Sequence, residues 1–306
     1  MKKSPAKSRK NNYLFIINPI SGGKDKNVFI ELMNNVCNKD KISYDIYETS
    51  GKNDKEKIIR RIQSQSPKVV VAAGGDGTCN LVAKSLLASK VPAALGIVPL
   101  GSANGLATEL GISNEPEEAI QVLLTGKEKR LDALQINNKH LCLHLSDLGL
   151  NARIIEEFEK NNGDSRGMIG YFKQLISELV NLEPKTFQIQ TSKRKYTLDA
   201  HMIAIANASK YGTGAILNPR GKVGDGKFEI CIIKPFPAIA IVPLTIQFFN
   251  GNIEESEYVE IFSCKKVKII NKGKAALQVD GEIIGNPSQV TAQILPNAFR
   301  VLVPNE

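Results

Sequence analysis

The chain has 306 residues, 42% hydrophobic and 23% charged, enough to bury one large core or two modest ones. No apolar run approaches the ~20 residues that span a bilayer, so no transmembrane segment is expected. Its 40 basic and 31 acidic residues leave a net charge of +9, but Lys2, Lys3, Lys7, Arg9 and Lys10 sit in the first ten positions without an acid. The remaining body is only mildly basic and has no long basic stripe interleaved with aromatics, which excludes a typical nucleic-acid binder.

Residues 1–12 read as a basic, disordered tail. Two uses stay open for it: a solubilising terminus, or attraction to an anionic membrane surface. Tail and YLFIINPI together mimic a secretory leader, but Asn18 and Pro19 interrupt the apolar run and no small-x-small cleavage site follows. The cysteines, Cys37, Cys79, Cys142, Cys231 and Cys264, are odd in number and widely spaced. They read as reduced core thiols of a cytoplasmic protein.

From residue 13 the pattern alternates strand and helix. YLFIINP (13–19) is a strand, VFIELMNNVCNK (28–39) a helix, SYDIYET (43–49) a strand and DKEKIIRRIQSQ (54–65) a helix. VVVAA, CNLVAKSLLAS (79–89) and ALGIVPLG (94–101) continue as strand, helix and strand, and SNEPEEAIQVLLTG (113–126) closes with a helix. Strands without polar alternation are covered on both faces, so this part predicts a doubly wound α/β domain with a parallel sheet. Afterwards the grammar changes to alternating β segments from LDALQI to FRVLVP, separated by Gly, Asn and Lys turns. A β-sandwich domain is expected there, with helical interruptions at 167–182 and around 237–251.

Three segments end strands with turn chemistry: NPISGGK (18–24), GGDGTCN (74–80) and PLGSANG (99–105). Parallel strands place all three on one sheet edge, where open α/β sheets bind ligands. In the second segment Gly74, Gly75 and Gly77 admit close approach to the backbone, and Thr78 is placed as the helix N-cap, at a terminus that attracts phosphate. Asp76 and Gly77 are also ordinary turn residues. Asn18, Ser21 and Lys24 offer donors and a cation, and Ser102 and Asn104 add polar groups between Gly101 and Gly105. Neither a Walker A spacing nor a G-x-G-x-x-G follows the first strand.

The second half supplies carboxylates. Asp280-Gly281-Glu282 and Asp225-Gly226 both read from spacing as hairpin turns. Asp132 reads as a strand-end surface residue. His140 and His144, four apart, share a face on a strand but lack the companions of a metal site.

These pieces, in the order NPISGGK, Thr49, VVVAAGGDGTCN, LGIVPLGSANGLA, RLDALQI, VGDGKFEI and VDGEII, resemble the diacylglycerol kinase and sphingosine kinase catalytic family. GGDGT alone is also similar to NAD kinases and to the phosphofructokinase loop, but the PLGSxN motif is not theirs. The resemblance covers most of residues 13–284. It implies an α/β nucleotide-binding domain over 13–128 and a β-sandwich lipid-binding domain over 129–306, with the site in the cleft between them and the C-terminal end open to packing back on the first.

The implied activity is a lipid kinase, transferring phosphate from ATP to the hydroxyl of diacylglycerol or a related lipid, with a sphingoid base also open. By matching motif, Gly74, Gly75, Asp76, Gly77, Thr78, Cys79 and Asn80, with Thr49, Ser102 and Asn104, would bind ATP, and Asn18 and Ser21 would lie near its phosphates. Glu282 would accept the proton of the lipid hydroxyl, within an acidic network of Asp280, Asp76 and Asp132. Asp225, with backbone oxygens of Lys222 and Lys227, would hold Mg2+. The protein would be cytoplasmic and peripherally membrane-associated, with its lipid substrate at the membrane surface and a homodimer left open. Two other readings remain: a soluble-substrate kinase like the NAD kinases, and a nucleotide- or lipid-binding regulator without turnover. The chain departs from the family at Gly105, where bacterial diacylglycerol kinases commonly carry Asp, and at Asn151, which replaces Asp in a Gly-Phe-Asp-Ala segment.

Overall fold

Apolar runs that never alternate, followed by helices with one apolar face, build the first unit. The computed structural model describes residues 12–20, 26–39, 41–102, 104–149, 183–211 and 215–305. They form two units: one of Met1–Gly101, Leu110–Lys129 and Phe299–Glu306, the other of Ser102–Glu109 and Arg130–Ala298.

In the first unit the chain runs β1 (Tyr13–Ile17), α1 (Lys26–Lys39), β2 (Tyr44–Glu48), α2 (Asp54–Gln65), β3 (Val69–Gly74), α3 (Asp76–Ser89) and β4 (Ala94–Pro99). It leaves for the short α4 (Gly105–Glu109) of the second unit and returns with α5 (Pro116–Thr125). The strands are parallel in the order β2-β1-β3-β4. Every residue of β3 and β4 is buried, as strands covered on both faces must be. Helix α1 packs with α5 and α2 with α3.

The second unit is a sandwich of two largely antiparallel sheets, with β11 (Lys210–Tyr211) and β12 (Ala215–Ile216) as a separate two-stranded antiparallel pair. One holds β7 (Leu145–Leu148), β10 (Met202–Ala206), β13 (Phe228–Ile233), β14 (Val259–Cys264), β16 (Leu277–Val279) and β17 (Glu282–Gly285), ordered β14-β13-β10-β7-β16-β17. The other pairs β8 (Lys185–Gln190), β9 (Lys195–Ala200), β15 (Lys266–Asn271) and β18 (Gln289–Val303), with β5 (Lys127–Ile136) on β18 and β6 (His140–Cys142) on β5. One core joins both sheets through Phe187, Ile189, Ile203, Ile205, Phe228, Ile230, Leu277 and Val290. Alternate residues of β10 and β13, among them Met202, Ala204 and Cys231, point the other way onto Leu244 and Phe248 of α6 (Ile241–Asn250).

The expected helix around 237–251 is therefore present as α6, after a short 3-10 turn, Ala238–Ala240. Pro243 is tolerated because it lies in the first turn, where its missing N–H had no helical partner. The helix expected over 167–182 lies outside the described residues. Helix α3 starts at Asp76 rather than Cys79, with extended Gly75 as its N-cap, so Thr78 is not the capping residue. The acid at its first position suits the positive end of the helix dipole, which lets the helix begin that early. Asp280–Gly281 is a two-residue hairpin loop, but Asp225–Gly226 is not: it lies in a longer connection leading into β13. His140 and His144 do not share a strand, because β6 ends at Cys142. All five cysteines are free thiols, four of them buried.

Asp54, at the start of α2, fixes the loop after β2. Its carboxylate accepts the Tyr47 hydroxyl at 2.6 Å, the Ser50 N–H and Oγ, and the Gly51 N–H at 2.6 Å. Burial would raise its pKa, but these donors outweigh burial and hold it below the ordinary value. A depressed folded-state pKa stabilises above the unfolded value and ceases to as pH falls through the folded one. Asp54→Ala is accordingly expected to cost about 2 kcal/mol near neutral pH. That deficit relative to the parent should shrink below about pH 4, as followed by denaturant titration across pH.

Candidate active site

The chain leaves β1 for β2 on one flank and comes back to β3 on the other, so the carboxyl ends of β1 and β3 flank a topological switch point. Open α/β sheets take ligands in that crevice. Asn18, Thr49 and the Gly74–Asn80 segment follow β1, β2 and β3 at this one edge. The Asn18 N–H donates to the Ala73 carbonyl at 3.1 Å and the Thr49 N–H to the Ile17 carbonyl at 2.9 Å, so the strand ends are tied side by side. Asn18 also turns its own loop, its Oδ1 accepting the Ile20 N–H. Ser21 and Lys24 lie outside the described residues.

The glycines of GGDGT have distinct tasks. A Cβ on Gly74 would stand 2.3 Å from Thr78 Oγ1, so this position is closed by the protein itself. The N–H groups of Thr78 and Cys79 turn back to the Gly75 carbonyl. Thr78, Cys79 and Asn80 are buried in the first turns of α3, while Gly77 is exposed. A Cβ on Gly77 would meet nothing within 4 Å, so no contact among the described residues demands a glycine there. Close approach of a ligand to the backbone would.

In the second unit Ser102 is exposed, and Asn104 is buried at φ +52 with its carbonyl receiving the Thr108 N–H of α4. Gly105 lies against the His144 ring, 3.1 Å from where its Cβ would be. The imidazole thus lines the space that a side chain at position 105 would enter.

The carboxylates of this unit divide into anchors and one exposed group. Asp132 on β5 is 1% exposed, its Oδ2 accepting the Gly226 N–H at 2.6 Å and its Oδ1 the Asn297 N–H at 2.7 Å. It is a buried clasp rather than the surface residue that spacing suggests. Asp225 caps its own turn, accepting the Lys227 N–H, and its Oδ2 lies 3.5 Å from the Lys227 ammonium. The Lys222 carbonyl accepts the Asp225 N–H. These are hard oxygen donors, the type Mg2+ takes when it keeps most of its waters. No cluster of three His, Cys, Asp or Glu occurs among the described residues.

Asp280 accepts the N–H groups of Leu143 at 2.8 Å, His144 at 2.9 Å and Leu145 at 3.1 Å. The Cys142 thiol lies 3.2 Å from its Oδ1, and burial together with the Asp280 charge pushes that thiol well above its ordinary pKa, so it remains a donor. Asp280 at φ 47 and Gly281 at φ 85 make the tight loop between β16 and β17, both central residues left-handed as a type I′ turn requires. Glu282 opens β17, exposed, and its side chain makes no ion pair among the described residues. Two residues that the sequence reading passed over, Gln278 and Asp147, sit buried beneath this turn. Their one signal is a polar residue at positions that the fold then covers.

The two units correspond to two family models. Residues 12–136 match the diacylglycerol kinase catalytic domain. Residues 147–303 match the model described as the YegS C-terminal NAD kinase beta sandwich-like domain. A GGDGT-bearing α/β unit followed by this sandwich defines a class of phosphotransferases. The chain belongs to the diacylglycerol kinase/YegS family of lipid kinases. It is 28% identical over 256 residues to a Citrobacter koseri protein named "Probable lipid kinase YegS-like", covering 83% of this chain and 84% of that one. A Yersinia pestis protein of the same name is 28% identical over 254 residues, covering 82% and 84%. The solved structure of a diacylglycerol kinase from Bacillus anthracis str. Sterne superimposes with a TM-score of 0.74 over 97% of this chain and 98% of that one, at 19% identity. At that identity the likeness shows the fold.

The contrast between the glycines is testable without a ligand. Gly74→Ala should destabilise the protein by about 1–3 kcal/mol through overpacking. Gly77→Ala should leave the melting temperature within a degree or so of the parent, because a surface change that touches nothing costs little.

Proposed function

We propose that the protein transfers the γ-phosphate of ATP to the hydroxyl of diacylglycerol or a closely related lipid, a sphingoid base being the other acceptor to test. The observation that carries the reading is Glu282: an exposed carboxylate without an ion pair among the described residues, set at the first residue of β17 by a turn that Asp280 and Gln278 hold. Phosphoryl transfer needs positioning and charge neutralisation more than covalent help. The acceptor oxygen bonds to the γ-phosphorus as the bond from that phosphorus to the bridging oxygen breaks. The hydroxyl proton passes to Glu282, and ADP leaves.

In this reading the Gly74–Asn80 segment, Asn18, Ser21, Thr49, Ser102 and Asn104 take ATP, with the open backbone at Gly77 admitting phosphate oxygens. Asp280 and Asp132 act as the anchors that hold their loops. Asp76 sits at the start of α3, where an acid also favours the helix. Asp225, with the carbonyls of Lys222 and Lys227, is the candidate Mg2+ site; the ion, when bound, would supply positive charge to a strongly anionic substrate. Purified protein with ATP, Mg2+ and vesicles carrying diacylglycerol, monoacylglycerol or a sphingoid base is the direct test. Glu282→Gln should lower lipid phosphorylation by about 10²–10⁴-fold, the usual worth of a general base, with ATP binding retained. Equal rates in parent and variant, or phosphate appearing on NAD and on no lipid, would overturn the proposal.

Peripheral membrane association, which this function requires, has support on α6. No charged residue occurs from Pro235 to Gly251. Ile239, Val242 and Ile246 are 85%, 54% and 54% exposed, at the spacing of one helical face. No helix among the described residues is long and apolar enough to cross a membrane. A variant with all three replaced by Ser should keep its melting temperature and lose most of its co-sedimentation with diacylglycerol-containing vesicles. Undiminished sedimentation would remove this face from the account.

A further inference from the structure

The strand before the Asp280 turn reads Leu277-Gln278-Val279, and both apolar residues enter the sandwich core. Alternation sends Gln278 to the opposite face of the sheet, and the antiparallel register puts it directly across from Asp147 of β7. Neither is a surface residue: Asp147 is 0% exposed and Gln278 6%. Buried polar side chains are costly unless bonded. Gln278 is bonded at both ends of its amide: Nε2 donates to Asp147 Oδ2, and Oε1 accepts the Gly281 N–H at 2.7 Å. Its carbonyl in turn accepts the Ser146 hydroxyl at 2.6 Å.

The Gly281 N–H lies in the two-residue loop, outside the strand ladder, which closes with the pair Val279 and Glu282. A main-chain donor that the ladder cannot satisfy is taken instead by an amide whose direction is fixed by a buried acid. We propose that Gln278 and Asp147 are positioning residues for Glu282: the carboxylate clamps the amide, and the amide clamps the turn that sets where β17 and its first side chain begin. This inference rests on the reading of Glu282 as proton acceptor. It concerns residues that touch neither the reacting atoms nor ATP.

The clamp has a polarity that can be reversed. Gln278→Glu keeps an acceptor for Gly281 but sets two carboxylates against each other. The double variant Asp147→Asn/Gln278→Glu restores one donor and one acceptor, with the Asn amide donating to the Glu carboxylate whose other oxygen is left for Gly281. Gln278→Glu should lower kcat for lipid phosphorylation by about 10–100-fold, the scale expected of a displaced catalytic group, with ATP affinity unchanged. Its deficit should deepen as pH rises and both carboxylates ionise. The double variant should return to within a few-fold of the parent and lose that pH dependence.

Amide hydrogen exchange of the segment 279–285 gives a readout that needs no activity. Exchange should quicken in Gln278→Glu and in Gln278→Leu and return to the parent rate in the double variant. Unchanged exchange in both single variants, or a double variant as impaired as Gln278→Glu, would overturn the clamp. If the parent phosphorylates no lipid, the function of Glu282 falls, while the exchange comparison still decides whether the clamp holds the turn.

Discussion

Three successive main-chain N–H groups, those of Leu143, His144 and Leu145, converge on the carboxylate of Asp280. They span the bend after β6 and the first residue of β7, and buried donors left unmade cost about 1–3 kcal/mol each. Asp280 reaches them only because it sits at φ 47 in a loop of two residues, and its own N–H bonds back to the Leu145 carbonyl. The bend and the hairpin are thus one object. Shifting either would strand several polar groups at once. An acid so fully engaged is an anchor, whereas Glu282, two residues on, is exposed and makes no ion pair among the described residues.

The first unit reaches the same end by different means. Strands β1, β3 and β4 are paired on both sides and largely buried, with the half-exposed β2 at the edge, so their direction is set by the sheet, and the crevice at the switch point follows from strand order alone. Within that crevice the backbone is shaped by which glycines the protein fills and which it leaves open. Gly74 is closed against Thr78, and Gly77 is closed against nothing among the described residues.

Much of this was legible in the residues. The change from unalternated to alternating strands marked the two architectures, and strand ends with Gly, Ser and Asn marked the edge. The type I′ turn at Asp280–Gly281 followed from Asp-Gly between apolar runs. Other features were not readable, each for a physical reason. Asp225–Gly226 has the same dipeptide, yet its turn is set by a distant carboxylate, Asp132, which accepts the Gly226 N–H across 94 positions of sequence. Gln278 in Leu-Gln-Val looks like the solvent face of a strand, and only the register with β7 buries it beside an acid. The start of α3 was misplaced because Asp-Gly-Thr resembles a turn ending in a cap, whereas the dipole accepts the acid as the helix's first residue. The role of Glu282 came from family likeness, since spacing gave only the hairpin.

Three carboxylates, two of them buried, share one task, and this bears on how the acids of such a chain should be counted. Asp54 takes the N–H groups of Ser50 and Gly51, Asp132 those of Gly226 and Asn297, and Asp280 those of Leu143 to Leu145. Each gathers main-chain N–H groups from two or more residues onto one side chain. A carboxylate suits this because it accepts several bonds at once, and charge-assisted bonds are roughly twice as strong as neutral ones. Several of the chain's acids are therefore engaged with its own main chain. At Gly105 the neighbour is an imidazole ring packed on glycine, and it belongs to the residue whose N–H the Asp280 carboxylate already holds.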